Sequence, residues 1–300
     1  MELRLLQYFL TVAREENISR AAEVLHITQP TLSRQMAQLE EESGVRLFDR
    51  SVGTRKIVLT GEGVLLRRRA EEILELVDKT QHELAEQEGQ VQGTIAIGCG
   101  EIGSVGLLPE LFKGFRELHP LVQFDVFTAG NDSICERMEQ GLLDFGILLG
   151  PPAMERYDCV FTGWHEKWAA LIPPKSTLAE KETITAKDLR DVPLILPRGL
   201  HNESRLAQWF GRTFQKLQPV VTCNLTANAA AMVGQGLGCA LVIEGTVPFD
   251  SAHIVSRPLS PELGSASVLA WKRGQPFSRA ATLFREYANS VFEAGTNHAL

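Results

Sequence analysis

The stretch Ile18-Ser-Arg-Ala-Ala-Glu-Val-Leu-His-Ile-Thr-Gln-Pro-Thr-Leu-Ser-Arg-Gln-Met-Ala-Gln-Leu-Glu-Glu-Glu42 reads as two short helices joined by a tight turn, a helix-turn-helix candidate. Ser19 suits the N-cap of the first helix, and Ala21, Ala22 and Leu25 give it an apolar stripe before His26, Ile27 and Thr28 interrupt the pattern. Thr28 suits the N-cap of the second, with Pro30 in its first turn, where a missing N–H costs nothing. There Leu32, Met36 and Leu39 recur at i, i+4 and i+7 as one buried face.

The opposite face carries Pro30, Ser33, Arg34, Ala37 and Gln38, with Gln29 and Thr31 near its N-terminal end. Short uncharged donors and acceptors around one arginine suit the edges of bases in a major groove, because Arg pairs bidentately with guanine and Gln with adenine. A helical hairpin with a merely polar surface is the alternative, and these residues alone leave both open.

The flanks extend the pattern. Leu3, Leu6, Leu10 and Ala13 fall at helical spacing and predict an amphipathic helix behind the hairpin. Gly44 marks a helix stop, and Val45–Phe48 and Lys56–Leu59 read as two strands around a loop at Asp49–Arg55. That wing carries Arg46, Arg50, Arg55 and Lys56, suited to phosphates or to a narrow minor groove.

Together, Ser19-Arg-Ala-Ala22, the run from Thr28 to Met36, Gln38-Leu-Glu-Glu41, Gly44-Val-Arg-Leu-Phe-Asp-Arg50 and Leu59-Thr-Gly-Glu-Gly63 resemble the N-terminal signature of LysR-type transcriptional regulators. The resemblance implies a winged helix-turn-helix over 1–60, a dimerising linker helix over 61–89, and a two-lobed, periplasmic-binding-protein-like α/β effector domain over 90–300. It implies operator DNA, a small-molecule effector, and self-association as a dimer or tetramer. The DNA contacts carried over are Ser19, Thr28, Gln29, Pro30, Thr31, Ser33, Arg34, Gln35, Gln38, Arg50, Arg55 and Lys56.

Composition fits this division. The net charge of −7 separates into 11 basic against 9 acidic residues over 1–70 and 19 against 28 over the rest. A local basic face suffices for phosphate attraction, and an acidic remainder limits non-specific binding. No apolar run is long enough for a membrane span and the N-terminus lacks a signal-peptide pattern, so the expected location is cytoplasmic. The five cysteines and seven histidines show no metal spacing, and no Ser, Cys or Asp sits in a nucleophile motif. Neither a metal, a cofactor nor a catalytic residue is expected.

Residues 62–89 contain no Pro, and Leu66, Ala70, Ile73, Val77 and Leu84 hold a/d-like positions, with Thr80 between the last two. This predicts a continuous helix roughly 42 Å long with a seam for a second copy. From Thr94 the texture becomes α/β. Strands are expected at 94–99, 122–128, 144–149, 168–172, 194–196, 220–225, 238–243 and 268–271, and helices at 104–118, 131–141, 203–217, 228–235 and 278–292. The resemblance implies a first lobe from about 94–162 and 267–293 and a second from about 163–266.

Gly98-Cys-Gly-Glu-Ile-Gly103 satisfies G-x-G-x-x-G between a strand and a helix, with Asp125 about 20 residues on. Pro109 within the helix and Asp125 in mid-strand argue against a dinucleotide site. The preferred reading has helix N-termini at 99–104 offering N–H groups to an anionic or polar effector. The family's cleft geometry implies a lining of Cys99, Gly100, Glu101, Ile102, Thr128, Asn131, Arg198, His201 and Asn228. Gly100 stands where relatives that bind carboxylates often carry Ser or Thr, and Glu101 adds negative charge, which weighs against a carboxylate effector. Cys99 at a helix N-terminus raises a second possibility, a thiol of lowered pKa acting as a redox sensor; a buried, inert cysteine is the more ordinary reading.

Overall fold

A computed structural model describes residues 1–49, 57–84, 91–198, 205–217, 219–246 and 253–296. The chain divides into two compact units, Met1–Glu86 and Gln87–Leu300.

The first unit begins with α1 (Leu3–Glu15), α2 (Ile18–Val24) and α3 (Gln29–Ser43). A two-stranded ribbon of β1 (Phe48–Asp49) and β2 (Val58–Leu59) follows, then α4 (Gly61–Leu84). The buried stripe of α1 is Leu5, Leu6, Phe9 and Val12, while Leu3 is 43% exposed. The expected stripe was displaced because Phe9 sets the register, its ring centroid 5.5 Å from that of Phe48. Asn17, not Ser19, caps α2, its side chain accepting from the Arg20 N–H at 3.1 Å. The cap lies earlier because Ile18 and Ser19 already have helical backbone. The turn closes on His26 at φ +54°, with its N–H on the Glu23 carbonyl and that of Ile27 on the Ala22 carbonyl, the paired bonds of a left-handed helix end. Leu32, Met36 and Leu39 are buried as read, and Gly44 ends α3 at φ +69°.

The ribbon is shorter than the expected strands, because Val45 and Arg46 bind no partner strand. Glu40 of α3 instead takes the N–H groups of Leu47 and Phe48 at 2.8 and 3.2 Å. Thr60 starts α4 by accepting from the Gly63 N–H at 3.0 Å and donating to the Arg46 carbonyl at 2.7 Å. A Cβ on Gly63 would lie 2.2 Å from the Leu47 carbonyl oxygen, so only glycine fits. The 24 residues of α4 span about 36 Å. Its apolar residues serve two faces. Leu66, Ala70 and Leu74 pack on this unit's own core, whereas Val64, Leu65, Ile73 and Leu76 are exposed. The single seam expected from Leu66 through Leu84 is thus divided, since Leu66 and Ala70 are used within the chain.

In the second unit, β3 (Gln92–Cys99) leads through a 3-10 turn (Gly103–Leu107) into α5 (Leu108–Leu118). There follow β4 (Leu121–Thr128), α6 (Asn131–Glu139), β5 (Phe145–Leu149) and the long β6 (Tyr157–Ile172). Then come β7 (Leu194–Pro197), α7 (Arg205–Phe210), a 3-10 segment (Gly211–Lys216), β8 (Pro219–Cys223), α8 (Thr226–Gly234) and β9 (Cys239–Ile243). The chain closes with β10 (Val255–Pro258), β11 (Gly264–Lys272) and α9 (Arg279–Thr296). The expected helix over 203–217 is broken at Gly211, φ +57°, and the expected α-helix over 104–118 begins only at Leu108, with Pro109 in its first turn.

The strands follow the order β4-β3-β5-β11-β6-β9-β7-β8, with β10 on β6. Strand β3 runs parallel to β4 and β5, and β7 runs parallel to β8 and β9. Antiparallel β6 and β11 join these two groups. The first residues of β6 pair with 268–272 of β11, and its last pair with β9 and β10. Between them stand Gly163, at φ +78°, and a register shift between Ala266 and Val268. Each group is covered on both faces. Ile95 and Ile97 face Phe115 and Phe284, while Ala96 faces Ile134 and Met138. Leu194 and Leu196 face Leu206 and Phe210, while Ile195 faces Ala229 and Val233. Strands buried on both faces explain why the sequence shows apolar runs rather than alternation. Among the described residues no helix is long and apolar enough to cross a membrane.

Candidate DNA interface and effector cleft

In the first unit, α3 presents its polar face to solvent. Thr28 caps the helix, its Oγ1 accepting from the Thr31 N–H at 3.4 Å and lying 2.8 Å from the Thr31 hydroxyl. Gln29 donates to Ser33 at 3.0 Å, so these side chains are already oriented along one edge of the helix. Gln35 donates to Gln38 at 3.3 Å, and Gln38 in turn donates to Glu42 at 2.9 Å. That bond is the main reason the Glu42 carboxyl titrates below its ordinary range. Pro30, Thr31 and Arg34 are exposed, and among the described residues none takes the Arg34 guanidinium. Ser19 is exposed in the first turn of α2. Arg50, Arg55 and Lys56, the remaining expected contacts, lie outside the described residues. Exposed donors and acceptors with one unengaged arginine on a capped, rigid helix can reach base edges.

In the second unit, the segment after β3 is where the two strand groups meet. Cys99 is buried, its Sγ 3.7 Å from the Thr128 hydroxyl, and burial is the main cause that pushes its thiol pKa up. The condition for a sensor thiol, a lowered pKa, is absent. Gly100 is buried with room for a Cβ, whose nearest neighbour would be Ile102 at 3.5 Å. Ile102 is buried as well. Asn131 is held by the backbone of β5, donating to the Leu149 carbonyl at 3.1 Å and accepting from its N–H at 3.3 Å. Asn228 is exposed in the first turn of α8. His201 lies outside the described residues.

Two carboxylates, only one of them anticipated, dominate this region. Glu166 of β6, 1% exposed, accepts from the Gly103 and Ser104 N–H groups at 2.8 and 2.7 Å. Of the N–H groups expected to await an effector, or a pyrophosphate, those of Gly103 and Ser104 are therefore filled by the protein's own carboxylate. Glu101 accepts the N–H of Thr226, the first residue of α8, and so joins the loop after β3 to the second strand group. Among the described residues Arg198 makes no ion pair with Glu101, although both charges act on the Cys223 thiol between them. Burial raises that thiol's pKa most, Glu101 adds to the rise and Arg198 opposes it. Neither Glu166 nor Thr226 was singled out from the sequence. The available signal for Glu166 was an acidic residue between Trp164 and Trp168, inside a stretch able to form a strand.

Residues 3–64 match the bacterial regulatory helix-turn-helix protein family, lysR family, and residues 88–293 match the LysR substrate binding domain. The Hca operon transcriptional activator HcaR of Escherichia coli is 30% identical over 279 residues, 92% of this chain and 93% of its own. The HTH-type transcriptional regulator BbuR of Bordetella bronchiseptica is 31% identical over 299 residues, 98% of this chain and 91% of its own. The crystal structure of CbnR, a LysR family transcriptional regulator, covers 97% of this chain and 99% of that one with a TM-score of 0.72. Full-length CbnR in complex with its target DNA gives the same TM-score. At 22% identity both are likenesses of fold.

Proposed function

The chain belongs to the LysR family of transcriptional regulators, and we propose that it reads a roughly twofold operator with α3 and responds to a small molecule between the two strand groups of residues 90–300. The observation that carries this reading is the outer face of α3, where exposed Gln29, Pro30, Thr31 and Arg34 stand over the buried Leu32, Met36 and Leu39. Base contacts fall to Gln29, Thr31, Ser33, Arg34 and Gln38; Ser19, Thr28, Pro30, Gln35 and the wing residues Arg50, Arg55 and Lys56 position the unit on the backbone.

The exposed Val64, Leu65, Ile73 and Leu76 of α4 supply an apolar stripe for a second copy, in place of the seam read from sequence. Such a dimer places two reading helices on half-sites about 34 Å apart. Pairing of two such dimers gives a tetramer. Residues 1–60 then form the DNA-binding domain, 61–89 the linker, and 90–300 the effector domain, with lobes of about 94–162 plus 267–293 and about 163–266. An effector that binds one lobe arrangement better than the other shifts the population of paired DNA heads. The protein acts as a cytoplasmic regulator rather than as an enzyme. That the matched relatives are named as transcriptional regulators supports this, as does a G-x-G-x-x-G segment whose last glycine already gives its N–H to Glu166.

Recovery of fragments of its own genome by the purified full-length protein, followed by sequencing, tests the reading. A shared site of roughly twofold symmetry is the expected result; recovery proportional to input would refute sequence-specific operator binding.

A further inference from the structure

We propose that Glu101 is a built-in occupant of the effector cleft, a latch whose carboxylate ties the lobes together across α8 and must be displaced by any anionic ligand. The inference rests on reading this cleft as the effector site. Glu101 lies in the loop after β3, in the first strand group, and is half-buried. Its carboxylate accepts the N–H of Thr226, which opens a nine-residue helix in the second group. No side chain of α8 itself caps that helix, so Glu101 supplies from across the cleft what a local Asp or Ser usually supplies. A carboxylate here is further favoured by the positive end of the α8 dipole.

The neighbouring N–H groups at Gly103 and Ser104 are paired with Glu166. The N–H groups of Gly103, Ser104 and Thr226, which would attract an anion between the lobes, are therefore held by the chain's own carboxylates. An incoming carboxylate has to displace one of them and then sit beside it, against like-charge repulsion. A neutral or cationic effector is spared that repulsion and, by donating to Glu101, draws the carboxylate off the Thr226 N–H. The cleft accordingly selects uncharged or cationic effectors, and release of the latch couples ligand entry to lobe movement.

Hydrogen–deuterium exchange on the full-length protein tests this without DNA or effector, comparing wild type, Glu101→Ala and Glu101→Gln. Failure of the latch is thus separable from failure of the cleft as the effector site. In Glu101→Ala, exchange is expected to rise roughly tenfold, equivalent to about 1.4 kcal/mol, both in the first turn of α8 and in the 99–107 segment opposite. Glu101→Gln, which keeps an acceptor oxygen without charge, should rise less. Sodium acetate, compared with sodium chloride at equal ionic strength, should restore protection in Glu101→Ala and leave wild type unchanged. Unchanged exchange in Glu101→Ala, a rise confined to α8, or acetate acting equally on both proteins or on neither would overturn the proposal.

Discussion

Replacing Glu166 with Ala removes a carboxylate that is 1% exposed and accepts two backbone N–H groups, from Gly103 at 2.8 Å and Ser104 at 2.7 Å. Hydrogen bonds to a charged group contribute roughly 1.5–3 kcal/mol each, and donors left buried without a partner carry the desolvation cost as well. Losing both bonds should cost about 3–5 kcal/mol, with some relief if water reaches the half-buried Gly103. Glu166→Gln keeps one acceptor and turns an NH₂ toward the other donor, so it should cost about 2 kcal/mol. The assay is urea unfolding of the full chain followed by tryptophan fluorescence. All four tryptophans, Trp164, Trp168, Trp209 and Trp271, lie in the second unit, so the signal reports that unit alone. Trp164 is also close to the cap, its Nε1 3.0 Å from where a Cβ on Gly103 would stand. At a slope of about 2–3 kcal/mol per molar urea, the Ala midpoint should fall by roughly 1–2 M. An Ala variant within about 0.5 kcal/mol of wild type, as for a surface residue, would refute the claim that Glu166 holds the start of the 3-10 turn that leads into α5.

Gly63→Ala places a Cβ 2.2 Å from the Leu47 carbonyl oxygen, and should destabilise the first unit by about 2 kcal/mol or more while leaving the tryptophan transition unmoved. Circular dichroism beside fluorescence separates the two effects. Asp188 is held at about 2, first by Lys181 and then by Thr185, below its unfolded value near 3.8. The unfolded chain thus takes up a proton before the folded one, so this contribution is present above pH 4 and is lost as pH falls from about 4 to 2. Acid titrations of wild type and Asp188→Asn should differ across that window and coincide below it. For the cysteines, alkylation followed by mass spectrometry should label half-buried Cys135, Cys159 and Cys223 before buried Cys99 and Cys239. Fast labelling of Cys99 would revive the sensor reading.

Local chemistry made the helix-turn-helix legible: Thr28, Pro30, the Leu32/Met36/Leu39 stripe and Gly44 each act within one helix, and each sits where the sequence places it. The cap of α2 was misassigned because Asn17 and Ser19 are both good caps and only the chain's entry angle decides between them. The α1 register depended on Phe48, which is 39 residues away in sequence and invisible to periodicity. The α/β order was readable from apolar runs, but β10 was missed, and only the last third of the 16-residue β6 was found. The rest of β6 carries Asp158, His165, Glu166 and Lys167, a polar stretch whose pairing with β11 is a tertiary fact. The cleft was the least legible part. Cys99 and Thr128 do come together, but the Glu101–Thr226 and Glu166–Ser104 contacts span 125 and 62 residues. No local spacing encodes such pairs.

The most direct test of operator reading by α3 is selection from random duplex DNA by full-length wild type and Arg34→Ala in parallel, at one stated salt concentration. The account predicts an enriched, roughly twofold site for wild type, and for Arg34→Ala a loss of about 1–3 kcal/mol together with relaxed preference at one symmetric pair of positions. An unchanged site and affinity in the variant would contradict it, as would a wild-type pool with no enrichment.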